Sequence, residues 1–233
     1  MRHFLFLIGT ALLTAAPQVQ AAEKSIVLPV TARGNEPGWL LTLGDGKMVF
    51  RPMEGAPIEA ALPPAEAAPG NGVRYAAAGL AATLVPQLCH DNMTGMPHPL
   101  TASVETGGKT LAGCAGEPAG LLAGKDWSVT NLGPDAIPKD AAVTISFDPK
   151  AGQISGASGC NRFFGGFTLS GEGLHVDEHL AGSMMACEPE RMKLERAFLD
   201  TLPRVTRFDI AADGALLLKS GGETLIEARR QAE

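Results

Sequence analysis

The side chains with the most obvious chemical potential lie in one short run, His90-x2-Met93-x2-Met96-x-His98, with Asp91 inside it. Imidazole combined with thioether is a soft ligand set that suits copper, above all Cu(I). The more ordinary reading is a surface loop beside Cys89 in which methionine serves as adaptable packing. No second methionine-rich segment repeats the pattern. A second run, His175-x-Asp177-x-His179, sets three ligands on one face if it is a strand, and zinc accepts such a set. With Glu178 it also suits a solvated turn, and a clear fourth ligand is missing.

Nucleophilic catalysis finds little support, and the expectation is a protein that is not an enzyme. Gly156-Ala157-Ser158-Gly159-Cys160 lacks the final glycine of a nucleophile elbow and lies among strands rather than before a helix. Thr106-Gly107-Gly108-Lys109-Thr110 ends like a phosphate loop, but Ser103 stands where the first glycine belongs and no helix follows. Glu36 and Asp91 act as paired acids only if the fold brings them together. Arg33, Asn35 and Glu36 around Trp39 suggest either a small polar pocket or, more simply, a turn network.

The elements that must position these groups are short strands. In the first half they are expected over Ser25–Ala32, Trp39–Leu43, Lys47–Pro52, Val73–Leu84, Leu100–Thr106 and Lys109–Ala115. Gly44-Asp45-Gly46 and Gly107-Gly108 read as turns, and Pro57–Gly72, rich in alanine and proline, as irregular. The second half carries strands over Asp126–Asn131, Ala142–Phe147, Gln153–Ser158, Gly166–Leu169, Leu174–Asp177, Arg204–Ile210, Ala215–Lys219 and Thr224–Ala228. One helix is expected over Pro189–Leu202. Pro189 suits its first turn, and Leu194, Phe198 and Leu202 share a face, with Met192 and Leu199 beside them. The fold class is mainly β (α+β): two small antiparallel β-rich domains, over 23–120 and 121–233.

Composition agrees. The 233 residues are 45% hydrophobic, enough for a core, and 28 glycines and 17 prolines favour turns over long helices. Nineteen basic residues against 25 acidic ones give a net charge of −6, which speaks against nucleic acid as a partner. Residues 1–22 read as a signal peptide: Arg2 and His3, an apolar stretch from Phe4 to Ala16, then small residues ending at Ala21-Ala22. No cysteine follows that would take a lipid, and no later segment is apolar enough to span a bilayer, so no stable membrane insertion is expected. A periplasmic or secreted location gives the four cysteines an oxidising compartment. Cys89, Cys114, Cys160 and Cys187 allow three connectivities. Sequential pairing, Cys89–Cys114 and Cys160–Cys187, keeps each bond within one half, with Gly116-Glu117-Pro118-Ala119-Gly120 as the linker between them.

The second half resembles a known family. Gly159-Cys160-Asn161, then Phe163 and Gly165, match the Gly-Cys-Asn-x-Phe-x-Gly signature of the META domain, also found in the heat-shock protein HslJ. Ser183-Met184-Met185-Ala186-Cys187 resembles its Thr/Ser-x-Met-Ala-Cys segment, and Glu195, Phe198 and Leu199 its Glu-x-x-Phe-Leu helix. The resemblance runs over about 122–229. It supports Cys160–Cys187 and implies a half-open, barrel-like sheet with one helix. It brings an association with envelope stress and no catalytic residues. The first half resembles a small domain often placed before META, through Arg33–Trp39, Cys89–Gly95 and Gly113-Cys114-Ala115, although His98-Pro99 stands where that family has Tyr-Pro. The expected role is a non-enzymatic envelope protein acting in stress tolerance by binding an envelope protein or a small ligand, without a resident cofactor. The alternative is small-ligand or copper binding in the periplasm, with His90, Met93, Met96 and His98 as the metal set.

Overall fold

A computed structural model describes residues 26–171 and 173–231. The expected signal peptide lies outside the described residues. Strands β1 (Val30–Asn35), β2 (Gly38–Gly44), β3 (Lys47–Pro52), β4 (Ile58–Ala61), β5 (Glu66–Ala68), β6 (Gly72–Ala77) and β7 (Leu80–Val85) begin the first half. A two-stranded ribbon, β8 (Cys89–His90) and β9 (Pro97–His98), precedes β10 (Leu100–Thr106) and β11 (Lys109–Ala115). Apart from the ribbon, these strands form one antiparallel sheet in the order β4-β3-β2-β1-β11-β10-β7-β6-β5. Alternation decides which face is core: Trp39, Leu41 and Leu43 of β2 turn inward against Met48 and Phe50 of β3, with Leu80, Leu84 and Val104 completing the cluster.

Three expectations for this half change. The first strand starts at Val30 and runs on to Asn35. Val73–Leu84 is two strands, turned at Gly79, rather than one. The stretch read as irregular contributes β4 and β5, the two edges of the sheet. Edge strands gain from backbone pairing on one side and bury little, so their alanine-rich sequences carry no clear period.

The second half opens with the short helix α1 (Ala119–Leu122), then β12 (Trp127–Leu132), β13 (Asp135–Ala136), β14 (Val143–Asp148), β15 (Gln153–Ser158), β16 (Arg162–Ser170), β17 (Gly173–Val176) and β18 (Ala181–Gly182). After the main helix α2 (Pro189–Thr201) come β19 (Arg207–Ile210), β20 (Leu216–Ser220) and β21 (Glu223–Arg230). The antiparallel order is β17-β16-β15-β14-β12-β21-β20-β19, with β13 beside β12 and β18 beside β16. The ends nearly close: the Leu174 amide donates to the Thr206 carbonyl at 3.0 Å. Gly173 permits that approach, because at its φ of +149° any added Cβ would stand 2.2 Å from the Thr206 oxygen. The result is a nearly closed, barrel-like sheet with one helix.

Helix α2 covers this barrel with Phe198, and the turn that follows it with Leu202, both fully buried, while Leu194 and Leu199 contribute partly. Phe198 meets Phe163 edge to face, ring centres 5.5 Å apart. Burial of such a side chain contributes about 2–3 kcal/mol. Met192 lies about 120° round the helix from Phe198 and is exposed. Phe164 is 61% exposed because alternation along β16 sends Phe163 and Phe167 inward and Phe164 out.

Candidate functional site

The most elaborate polar arrangement is built on the Gly-Cys-Asn segment. Between β15 and β16 the chain turns, and Glu195 reaches down from α2 to hold the turn. Its carboxylate accepts from the Ser158 hydroxyl at 2.6 Å, the Asn161 amide at 2.8 Å and the Asn161 side-chain nitrogen at 3.1 Å. The Asn161 oxygen then accepts from the Ser183 hydroxyl and the Met185 amide, each at 2.7 Å. Cys160 and Cys187 are joined by a disulfide, Cα atoms 6.0 Å apart. Burial pushes the Glu195 carboxyl up, but the three donors outweigh it and hold its pKa below the usual value. Ser158 and Asn161 are both buried. Ser158, beside a carboxylate, has no solvent exposure and is out of reach as a nucleophile. The network pins the Ser183–Cys187 strap to the hairpin. Gly165 belongs to the same construction, since a Cβ there would stand 2.3 Å from Leu180.

The second arrangement joins the two sheets. Cys89 and Cys114 form a disulfide, so the loop from Asp91 to Met96 leaves the first sheet from a fixed base. Asp91 folds that loop: one carboxylate oxygen accepts from the Met93 and Thr94 amides and the Thr94 hydroxyl, the other from Asn35 at 3.1 Å. Burial acts against its ionised form, but these donors draw the pKa down to about 2. Asn35, rather than Glu36, is therefore the partner of Asp91. The loop delivers Met96 into the core of the other half, among Phe208, Leu174 and their neighbours. Arg207 of β19 donates to the Thr94 carbonyl at 3.2 Å, and His90 meets Asp209 at 2.8 Å.

The four residues suggested as a copper set therefore have four surroundings. His90 lies on Asp209, Met93 is exposed, Met96 is a core side chain and His98 is buried. Only Met96 and His98 share a wall of one cavity. Of the other suggested set, Asp177 accepts the Gly166 amide, while His175 and His179 are exposed. Among the described residues no three His, Cys, Asp or Glu side chains converge as a metal requires.

The cavity holding Met96 and His98 is a cleft of about 270 Å³ between the halves. Arg33 of β1, the Asp91–His98 loop, Glu117 and Pro118 of the linker, and Leu169–Gly171 at the end of β16 form its walls. The linker is held on both sides. Gly116 donates to Thr31 of β1, and Arg230 donates to the carbonyls of Leu121 and Ala123 while lying 3.9 Å over the Trp127 ring. His98 is only 4% exposed, and its Nδ1 meets the Gly116 carbonyl at 2.7 Å. A carbonyl only accepts, so Nδ1 carries the hydrogen and Nε2 of the neutral ring has a free lone pair. Among the described residues no buried side-chain nitrogen or oxygen lacks a partner, and Nε2 has none from the protein. It is therefore the accessible corner of an otherwise enclosed ring. Sequence reasoning named His98 as a metal ligand and Arg33 as part of either a small polar pocket or a turn network; their meeting depends on the register of β1 against β11 and was not readable from spacing.

Two antiparallel sheets, each with its own disulfide, the second nearly closed and sealed by a helix, define the class: a disulfide-bonded β protein of two sheet bodies. The second body is recognised more closely. Residues 120–232 match the META domain family. A protein from Burkholderia xenovorans, solved by NMR, is 24% identical over 49% of this chain and 87% of its own, with a TM-score of 0.41. No curated protein matches the chain.

Proposed function

We propose that this is a non-enzymatic binding protein of the cell envelope, periplasmic or secreted, which serves stress tolerance by holding a small polar ligand between its two halves. One observation carries the reading: an enclosed His98 presents an unshared nitrogen to a cleft walled by both halves and the linker. Clefts between domains are frequent ligand sites, and this one suits a ligand smaller than a drug. Two disulfides favour an oxidising compartment. Among the described residues no helix is long and apolar enough to cross a membrane. The META family supports an association with envelope stress.

The test is amide shift mapping by NMR on the full chain with a library of small polar compounds. Hits should move Thr94–Met96 and Leu169–Gly171 together. Hits confined to the groove that Ile137 and Pro138 form with Arg191 and Leu194 of α2, or none at all, would overturn the reading. A second reading, Cu(I) held by His98 Nε2 and the Met96 thioether, is favoured by their shared wall. It requires that the chain compete with a chromophoric Cu(I) chelator and that His98→Gln abolish the competition.

A further inference from the structure

The cleft also constrains what its ligand must be, and this inference rests on the reading of the cleft as a binding site. We propose that it takes a small aliphatic zwitterion, a free amino acid or dipeptide, with the carboxylate on Arg33 and the ammonium between His98 and Glu117.

The argument is one of complementarity. Arg33 and Glu117 both line the cleft, are exposed, and have no side-chain hydrogen bond or ion pair among the described residues. Arg33 can only donate, so it requires an acceptor, and a carboxylate matches its fork. His98 Nε2 can only accept while the ring is neutral, so it requires an N–H or O–H. Asp91 is ionised but committed to four donors. Among the described lining residues the side chains thus leave one unit of negative charge over: Asp91 and Glu117 against Arg33. A simple anion meets that excess, and a simple cation meets Arg33; a zwitterion satisfies both ends. Among the described residues no Phe, Tyr or Trp lines the cleft, so a quaternary ammonium lacks its usual cage, whereas a primary ammonium has acceptors. Met96 and Leu169 supply an apolar wall for a short aliphatic side chain.

The experiment titrates the full chain with L-alanine, L-leucine and L-alanyl-L-alanine, alongside N-acetyl-L-leucine and L-leucinamide, following amide shifts by NMR. The free zwitterions should move Thr94–Met96 and Leu169–Gly171. Capping either end should weaken binding tenfold or more. Arg33→Gln, on an exposed side chain, should weaken the zwitterions by a similar factor while leaving the thermal midpoint unchanged. Equal binding of a capped compound would overturn the proposed ligand class while leaving the cleft as a binding site. If none of the five probes moves the cleft but other small polar compounds do, the class also fails alone. A cleft that responds to nothing would overturn both.

Discussion

Glu195 is a single acceptor serving three donors, and that makes it the residue whose loss should be felt most. With Glu195→Ala the Asn161 backbone amide loses its acceptor outright, while the Ser158 hydroxyl and the Asn161 side-chain nitrogen lose the charged one and keep the Asn161 and Met185 carbonyls. Unmet buried donors cost about 1–3 kcal/mol each, and the shared network makes the sum less than additive. We expect a loss of about 2–4 kcal/mol, read from the urea midpoint. Glu195→Gln retains an acceptor oxygen but adds an NH2 facing donors, so it should fall between. The pH dependence follows from the lowered pKa. Its stabilising contribution is complete above the ordinary carboxylate value of 4.5 and is lost as pH falls through the lower folded value. Asp91 behaves alike, complete above 3.8 and lost as pH approaches about 2. Wild type should therefore lose stability on acidification more steeply than Glu195→Gln. Parallel urea midpoints for the two proteins from pH 5 to pH 2 would contradict this.

At the level of elements, the loop between β8 and β9 is a plug that belongs to one half by sequence and to the other by packing. Met96→Ala should cost about 2–4 kcal/mol, as for a buried aliphatic truncation, and Met96→Leu less than about 1.5 kcal/mol. Replacing Cys160 and Cys187 together should cost about 3.5 kcal/mol on the chain-entropy account of its loop. Urea midpoints under oxidising conditions check all three. The His90–Asp209 contact, with side chains 47% and 32% exposed, should contribute at most about 1 kcal/mol. The strands that sequence reasoning placed residue for residue, Lys47–Pro52, Leu100–Thr106, Lys109–Ala115 and Gln153–Ser158, alternate clearly or stand beside glycine turns. Among those it missed, Ile58–Ala61 and Glu66–Ala68 owe their form to backbone pairing at sheet edges, which leaves no side-chain period to read. The Glu195 contacts with Ser158 and Asn161 span 37 and 34 positions, and only the family signature hinted that they meet. The destination of Met96 was beyond any local pattern, because a methionine in a polar loop carries no mark of the core it enters.

For the molecule as a whole, the plug implies that the two sheets unfold together. Met96 fills space in the second core, Arg207 and Asp209 hold the loop's backbone and base, and the Cys89–Cys114 bond prevents the base from retreating. Opening either half therefore exposes apolar surface in the other. The sequence provides a reporter for each: the two tryptophans fall one to a core, Trp39 at 5% exposure and Trp127 at 2%. In Trp127→Phe the fluorescence reads the first sheet alone, and in Trp39→Phe the second alone, while far-UV circular dichroism reads both. Coupled unfolding requires that fluorescence and dichroism share one urea midpoint within each variant. Comparison within a variant removes the stability change that the probe substitution itself causes. Adding Met96→Ala should separate the two signals, since the truncated loop transmits less of either half's opening to the other. Separate midpoints with Met96 intact would mean that the halves are merely tethered. A ligand seated between them would then gain nothing from their joint order.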